Sequence, residues 1–269
     1  KVSEPNLYLF LPTGLTSTSS SYGDYQYTDD QGTWYFDLID ESGNKVSALS
    51  SKTSGGVSTL GASTLESATD YTARINVVLC NENLVNMVIP KYVSTSVDGQ
   101  NFLVTILRDG STVSGSDFIL NSTEINDLKS IKFPSSLKKI GGGSFDDLRT
   151  VESIDLSNTH LTTIPERAFA NCRSLTTVLF PSSVSSIYAE AFQYCNITEL
   201  NLPNLYYLNS LAFGGNNLNS VFINEKNENF YVEGNCLISK SGTVMIGTNN
   251  SVIPTDKNIT TIAAEAVKN

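Results

Sequence analysis

Histidine, the side chain whose ordinary pKa best suits proton transfer near neutral pH, occurs once in 269 residues, at His160. A Ser–His–acid triad also needs a buried carboxylate to orient the ring and a nucleophile within hydrogen-bond reach. The sequence nominates neither, and His160 reads as a surface residue between a strand and a turn. The four cysteines, Cys80, Cys172, Cys195 and Cys236, are dispersed. With one histidine they lack the spacing of a zinc site, and they do not form a disulfide framework. Asp24, Asp29, Asp30, Asp37, Asp40 and Glu41 are the densest acids. Calcium needs several oxygens converging on one point, and this spacing matches no EF-type loop, so the acids read as a solvated face. Asp98-Gly99 and Asp109-Gly110-Ser111 are turn signals. Gly141-Gly142-Gly143 lacks the Lys and Ser/Thr of a phosphate-binding loop. A glycosidase pair of carboxylates needs no motif, and nothing here singles one out. The expectation is a protein without catalytic residues, cofactor or metal.

The elements that position these residues are repeats. Phenylalanine returns at Phe118, Phe145, Phe169, Phe192 and Phe213, in steps of 27, 24, 23 and 21 residues. Upstream of each Phe from Phe145 on, except after Phe213, an L-x-x-[IVL]-x-[LFI] stretch recurs in register: Leu128, Ile131, Phe133; Val151, Ile154, Leu156; Leu175, Val178, Phe180; Ile197, Leu200, Leu202; and finally Leu218, Val221, Ile223. A second apolar anchor recurs at Ile140, Ile164, Ile187, Leu208 and, after an insertion, Ile262. Such a unit reads as a short strand with alternate side chains in a core, followed by a tight helical or 3₁₀ turn that packs the Phe, as in Glu166-Arg167-Ala168-Phe169. One unit cannot bury its own apolar face, and stacking does, so the architecture is a solenoid of short parallel strands. Three residues past each Phe stand Asn121, Leu148, Cys172, Cys195 and Asn216. Leucine-rich repeats use Asn or Cys at such a turn to meet the backbone of the adjacent coil, and Leu148 departs from that pattern. Cys172 and Cys195 lie one coil apart, about 5 Å by strand spacing. That permits a disulfide; the favoured reading is a ladder of buried free thiols acting as small apolar groups.

Ile131-Lys132-Phe133-Pro134-Ser135-Ser136-Leu137-Lys138-Lys139-Ile140 and Val178-Leu179-Phe180-Pro181-Ser182-Ser183-Val184-Ser185-Ser186-Ile187, each followed by a small-residue turn and a Phe, resemble the BspA-like leucine-rich repeat family of bacterial surface proteins. Val88-Ile89-Pro90 and the segment from Val97 to Ile106 resemble that family's opening unit with its Asp-Gly hairpin. The resemblance spans roughly residues 86–269. It implies a secreted or cell-surface protein, with adhesion to host or microbial partners as the expected activity. The family carries no catalytic motif, so no site residue is transferred.

Residues 1–84 show no solenoid unit and read as a small antiparallel β-sandwich of the Ig or fibronectin kind. Its strands are expected at Leu7–Leu11, Gly32–Ile39 and Tyr71–Leu79, with a turn at Glu41-Ser42-Gly43-Asn44 leading into Lys45-Val46. Leu65-Glu66-Ser67-Ala68-Thr69-Asp70-Tyr71 resembles the strand-initiating turn of fibronectin-type modules. Residues 17–23 and 50–58 read as mobile loops. The solenoid then occupies 85–269, interrupted at about 224–255 by a hairpin insertion with strands at 235–238 and 244–247. The chain begins at Lys1, which reads as a mature or trimmed form. At Asn269 either a terminal turn closes the last coil or the natural chain continues.

Net charge is −10, split as −9 over residues 1–127 and −1 over 128–269. An acidic chain without a basic stripe argues against nucleic acid as a partner, and no apolar run is long enough for a transmembrane segment. The localisation expected is extracytoplasmic, at the cell surface or secreted. The outward strand positions are the best candidate surface. One column reads Lys132, Asp155, Leu179, Asn201 and Phe222, its neighbour Ser130, Ser153, Thr177, Glu199 and Ser220; both point away from the core by strand alternation. The function expected is a non-catalytic binding or adhesion module that recognises an extracellular protein or glycan. The alternative is a structural component of a surface assembly without a soluble ligand.

Overall fold

The structure, a computed structural model, describes residues 22–46, 71–81, 83–95, 100–108, 119–120, 127–255 and 258–267. The expected strand at Leu7–Leu11, the turn at 65–70, most of the loops at 17–23 and 50–58, the Asp98-Gly99 and Asp109-Gly110-Ser111 turns, Phe118 and Asn121 lie outside them.

The first strands are β1 (Tyr25–Thr28), β2 (Gly32–Ile39) and β3 (Thr72–Cys80). They pair antiparallel in that order. β2 and β3 fall where aromatic and β-branched residues predict them. After β2 the chain turns at 41–43 and bridges Ile39 to Lys45. Next come β4 (Asn86–Val88), β5 (Tyr92–Thr95), β6 (Gln100–Leu107) and β7 (Ile119–Leu120). β5 and β6 form the expected antiparallel hairpin. β3 pairs in parallel with both β6 and β7. The described part of residues 1–84 therefore contributes one layer of a mixed sheet that continues past residue 85, and no second, facing sheet of a sandwich is seen among the described residues. The buried side chains Trp34, Phe36 and Val78 of this layer belong to one core with Met87, Leu128 and Ile131 of the first coil.

Each following coil carries two short strands. They are β8 (Ser130–Lys132) and β9 (Lys139–Ile140), β10 (Ser153–Asp155) and β11 (Thr163–Ile164), β12 (Thr177–Leu179) and β13 (Ser186–Ile187), and β14 (Glu199–Asn201) and β15 (Tyr207–Leu208), followed by β16 (Ser220–Phe222). The first column runs parallel from β4 through β8 and β10 to β12, and again from β14 to β16, with the hydrogen-bonded ladder interrupted between β12 and β14. The second column pairs β11, β13 and β15, while β9 pairs with β6. These strands hold the repeat positions named above, and the parallel stacking follows because every unit buries the same side.

The turns after the second column are not the helical or 3₁₀ turns expected. Asp147, Arg167, Asn171, Glu190 and Tyr194 have φ between 55° and 65°, the left-handed region that breaks a right-handed helix. Their backbone groups pair across coils instead. Gly143, Phe145 and Asp147 donate to the carbonyls of Glu166, Ala168 and Ala170, and Arg167, Phe169 and Asn171 to those of Ala189, Ala191 and Gln193. A helix would need those same groups for itself, so the stack and the helix are alternatives, and the stack wins. Inside, the rings of Phe145, Phe169, Phe192 and Phe213 stack one per coil at centroid distances of 5.2, 5.2 and 5.3 Å. Asn216 fills the role expected of it: its amide donates to the carbonyls of Phe192 and Phe213 and accepts from the N–H of Ile197. Cys172 and Cys195 do part of the same work, their thiols donating to Phe145 and Phe169 carbonyls.

The insertion is a three-stranded antiparallel unit of β17 (Phe230–Glu233), β18 (Cys236–Ser239) and β19 (Thr243–Ile246). The first of these strands adds to the expected hairpin. β20 (Thr261–Ile262) then pairs parallel with β19.

Candidate functional site: the outward strand faces

The two outer positions of each first-column strand flank a buried centre. Ile131, Ile154, Val178, Leu200 and Val221 are buried, and Lys132, Asp155, Leu179, Asn201 and Phe222 are all exposed. Register places Val88, Lys132, Asp155 and Leu179 side by side on β4, β8, β10 and β12, and Asn201 beside Phe222 on β14 and β16. Leu179 is 48% and Phe222 51% exposed, so the inserted strands leave the Phe222 ring open. Asp155 is engaged locally, accepting from the N–H and hydroxyl of Ser157 at 2.9 and 2.6 Å. Asn201 donates to Glu199 at 3.0 Å. In the neighbouring column Ser130 donates to Asn86 at 2.7 Å. The face is a strip of mostly polar groups from which two aliphatic side chains, Val88 and Leu179, and one aromatic, Phe222, stand out.

The residues of catalytic type are employed in the architecture. His160 is exposed, and its Nδ1–H donates to the Ser135 carbonyl at 2.7 Å, tying two coils together. The four cysteines are free thiols. The adjacent Cys195 thiol, then burial, push Cys172 well above the ordinary thiol value; burial, with Asp29 nearby, pushes Cys80 up to about 12. Neither is a thiolate nucleophile at neutral pH. The acids near the N-terminus go separate ways. Asp29 accepts from the N–H groups of Gln31 and Gly32, Asp40 from that of Asn44, and Asp24 pairs with Lys45. Asp37 is buried against Arg74, Asn76 and Lys45. Among the described residues no three His, Cys, Asp or Glu side chains converge as a metal site. On the turn face Arg167 binds Asp146 at 2.7 Å and Glu190 at 2.6 Å, clamping three coils.

A second outward face escaped the reading of the sequence. Tyr188, Tyr206 and Tyr207 are 45%, 75% and 40% exposed, and the rings of Tyr188 and Tyr207 lie 5.3 Å apart. The signal was present: the residue just before each second-column anchor (Lys139 before Ile140, Ser186 before Ile187, Tyr207 before Leu208) must point outward wherever that anchor points in.

The stack of two-strand coils, the ring ladder and the Asn/Cys turn define a leucine-rich repeat solenoid. Residues 122–241 match the BspA type leucine rich repeat region in six copies. A search of curated proteins returns no match. Among solved structures, the chain is similar to a leucine-rich repeat protein from Bacteroides ovatus ATCC 8483 (21% identity, 56% of this chain and 37% of that one, TM-score 0.45). It is also similar to the pneumococcal vaccine antigen PcpA (18% identity, 84% of this chain and 56% of that one, TM-score 0.49). A third is a leucine rich cell surface protein from Faecalibacterium prausnitzii A2-165 (17% identity, 85% of this chain and 63% of that one, TM-score 0.36). The chain spans less than two thirds of the length of each of these three proteins. No helix among the described residues is long and apolar enough to cross a membrane.

Proposed function

We propose that this chain is a non-catalytic binding module of a cell-surface or secreted protein, and that it recognises an extracellular protein or glycan through the first-column face at Lys132, Asp155, Leu179, Asn201 and Phe222. The observation that carries the reading is the half-exposed pair Leu179 and Phe222, on strands whose central residues Val178 and Val221 are buried. Such a pair exposes apolar area at no cost to the core, and Asn201, on the strand between them, supplies a hydrogen-bond donor and an acceptor. Residues 1–84 and 85–269 divide by role in this reading: the N-terminal layer closes the first coil, and the solenoid presents the recognition face. The acidic N-terminal half adds a long-range field that acts on association rate and is screened by salt.

The test is a binding screen of the intact chain against extracellular matrix proteins, mucin and glycans, followed by titration of the best partner with the Leu179→Ser/Phe222→Ala variant. Affinity is expected to fall tenfold or more, about 1.4 kcal/mol, with the melting temperature held. Unchanged affinity in the double variant overturns the assignment of this face.

A further inference from the structure

The second strand column belongs to a different sheet from the column around Leu179 and Phe222, and it has a composition of its own. β11, β13 and β15 stack in register, Thr163 beside Ser186 beside Tyr207, over the buried Ile164, Ile187 and Leu208. Tyr206 sits at the corner before β15, and its N–H and that of Tyr207 share the Ser185 carbonyl at 2.7 and 3.0 Å. Both tyrosines are exposed. Tyr188 reaches the Tyr207 ring from the preceding coil, and Asn209 lies 3.4 Å from the Tyr207 hydroxyl. At the other end of the column, in the coil of β9, the corresponding positions are Lys138 and Lys139, both exposed. That coil is bonded to the coil of β11 on both sides of the strands, His160 N–H to the Leu137 carbonyl and Gly143 N–H to the Glu166 carbonyl.

Charge is concentrated here against the trend of the chain. Residues 128–145 carry four lysines and no acid, in a protein of net charge −10. Lys129 is paired with Glu152; Lys138 and Lys139 are in no ion pair among the described residues. Tyrosines, then hydroxyl side chains, then two ammonium groups thus follow one another along one face. Strands spaced by about 4.8 Å put Tyr207 roughly 10 Å from Thr163, two steps along the ladder, and Lys139 stands on the coil beyond.

The geometry points to this face as a binding site for a carboxylate-bearing (uronate) oligosaccharide laid across the coils. A pyranose packs its C–H face on an aromatic ring and offers hydroxyls at its edge. Tyr188 and Tyr207 provide the ring surface, while Ser185, Ser186, Thr163 and Asn209 provide partners for hydroxyls. A carboxylate further along the oligosaccharide meets Lys138 and Lys139 as point charges. A protein partner fits less well, because a protein hot spot needs an apolar centre sealed from water, and the floor here is Ser and Thr. A polysulfate fits less well too. Recognition of such polymers takes runs of five to eight basic residues, and the longest run of lysines on this face is two, Lys138 and Lys139. The site is independent of the first-column face proposed above.

The experiment probes an array of uronate-bearing, sulfated and neutral oligosaccharides with the intact chain, then titrates oligogalacturonate and its methyl ester calorimetrically. Uronate glycans are expected to be retained above their neutral counterparts. Tyr188→Ala/Tyr207→Ala weakens binding at least tenfold at any salt concentration. Lys138→Glu/Lys139→Glu abolishes the preference for the free acid over its ester, and Leu179→Ser/Phe222→Ala binds as the parent does. Circular dichroism melts confirm that each variant is folded; the lysine pair, fully on the surface, keeps the test decisive if the tyrosine pair loosens the fold. Retention of no uronate glycan above its neutral counterpart, stronger retention of sulfated glycans, or binding that survives the tyrosine substitutions overturns the proposal.

Discussion

Phe169 and Phe222 carry the same side chain to opposite fates, one fully buried in the ring ladder and the other half in water. Truncating the first removes a large buried group and leaves a cavity between its stacked neighbours. Phe169→Ala and Phe192→Ala are each expected to cost about 3–5 kcal/mol in denaturant unfolding, and Phe222→Ala much less. Equal losses at all three positions would place Phe222 in the core. Asp37 is the other residue whose neighbours set its energetics. Burial by itself pushes its carboxyl up, but hydrogen bonds from Asn76, Arg74, the Asp24 N–H and Lys45 outweigh it and hold Asp37 below the ordinary aspartate value of 3.8. A carboxyl depressed in the folded state adds stability above the unfolded value and loses it as pH falls through the folded one. Unfolding midpoints measured from about pH 6 down to about pH 2 should therefore drop on the acid side in the parent. In Asp37→Asn that drop should be smaller, and stability near pH 6 lower, because Arg74 loses its buried carboxylate partner.

At the scale of the element, the turns after each second-column strand differ most from expectation. A small-residue stretch ending in Phe has good local helix propensity, and local propensity is what a single repeat displays. The coil alongside offers carbonyls at the right spacing, and the backbone takes them at the cost of left-handed conformations at several non-glycine residues. Two glycines in these turns allow a graded test. Gly143 has φ +62° and open space where a Cβ would stand, whereas Gly215 has φ +72° and the Tyr194 ring packed against that point. Gly143→Ala should cost about 1 kcal/mol, the left-handed penalty alone. Gly215→Ala should cost more, because the ring must also move. Matching urea midpoints for the two variants would show that the Tyr194 contact adds nothing.

The whole molecule is joined where the N-terminal strands meet the first coils. β3 hydrogen-bonds to β6, β6 to β9, and the apolar core runs from Trp34 to Phe230 and beyond. Trp34 is the only tryptophan and is fully buried in β2, so its fluorescence reports the N-terminal layer, while far-UV circular dichroism is dominated by the solenoid. With a shared core the two signals should trace one urea transition with a common midpoint. Separate midpoints would mean that the layer and the solenoid unfold independently.

The sequence by itself determined the solenoid. The Phe returns every 21 to 27 residues with the L-x-x-I-x-L stretch and the Asn/Cys column in step with it, and a unit that cannot bury its apolar side alone does so by stacking. It also marked the first outward column, because strand neighbours alternate and Val178 and Val221 had to point in. Only the tertiary structure decided how the turns bond, since a backbone N–H chooses between its own turn and the next coil by what lies beside it. The same holds for the N-terminal layer: strands β2 and β3 were legible, but that their buried residues belong to one core with Met87, Leu128 and Ile131 of the first coil was not. The tyrosine face belongs to this class too. Tyr188, Tyr206 and Tyr207 come from two coils, and stacking those coils in register is what turns separate side chains into one surface.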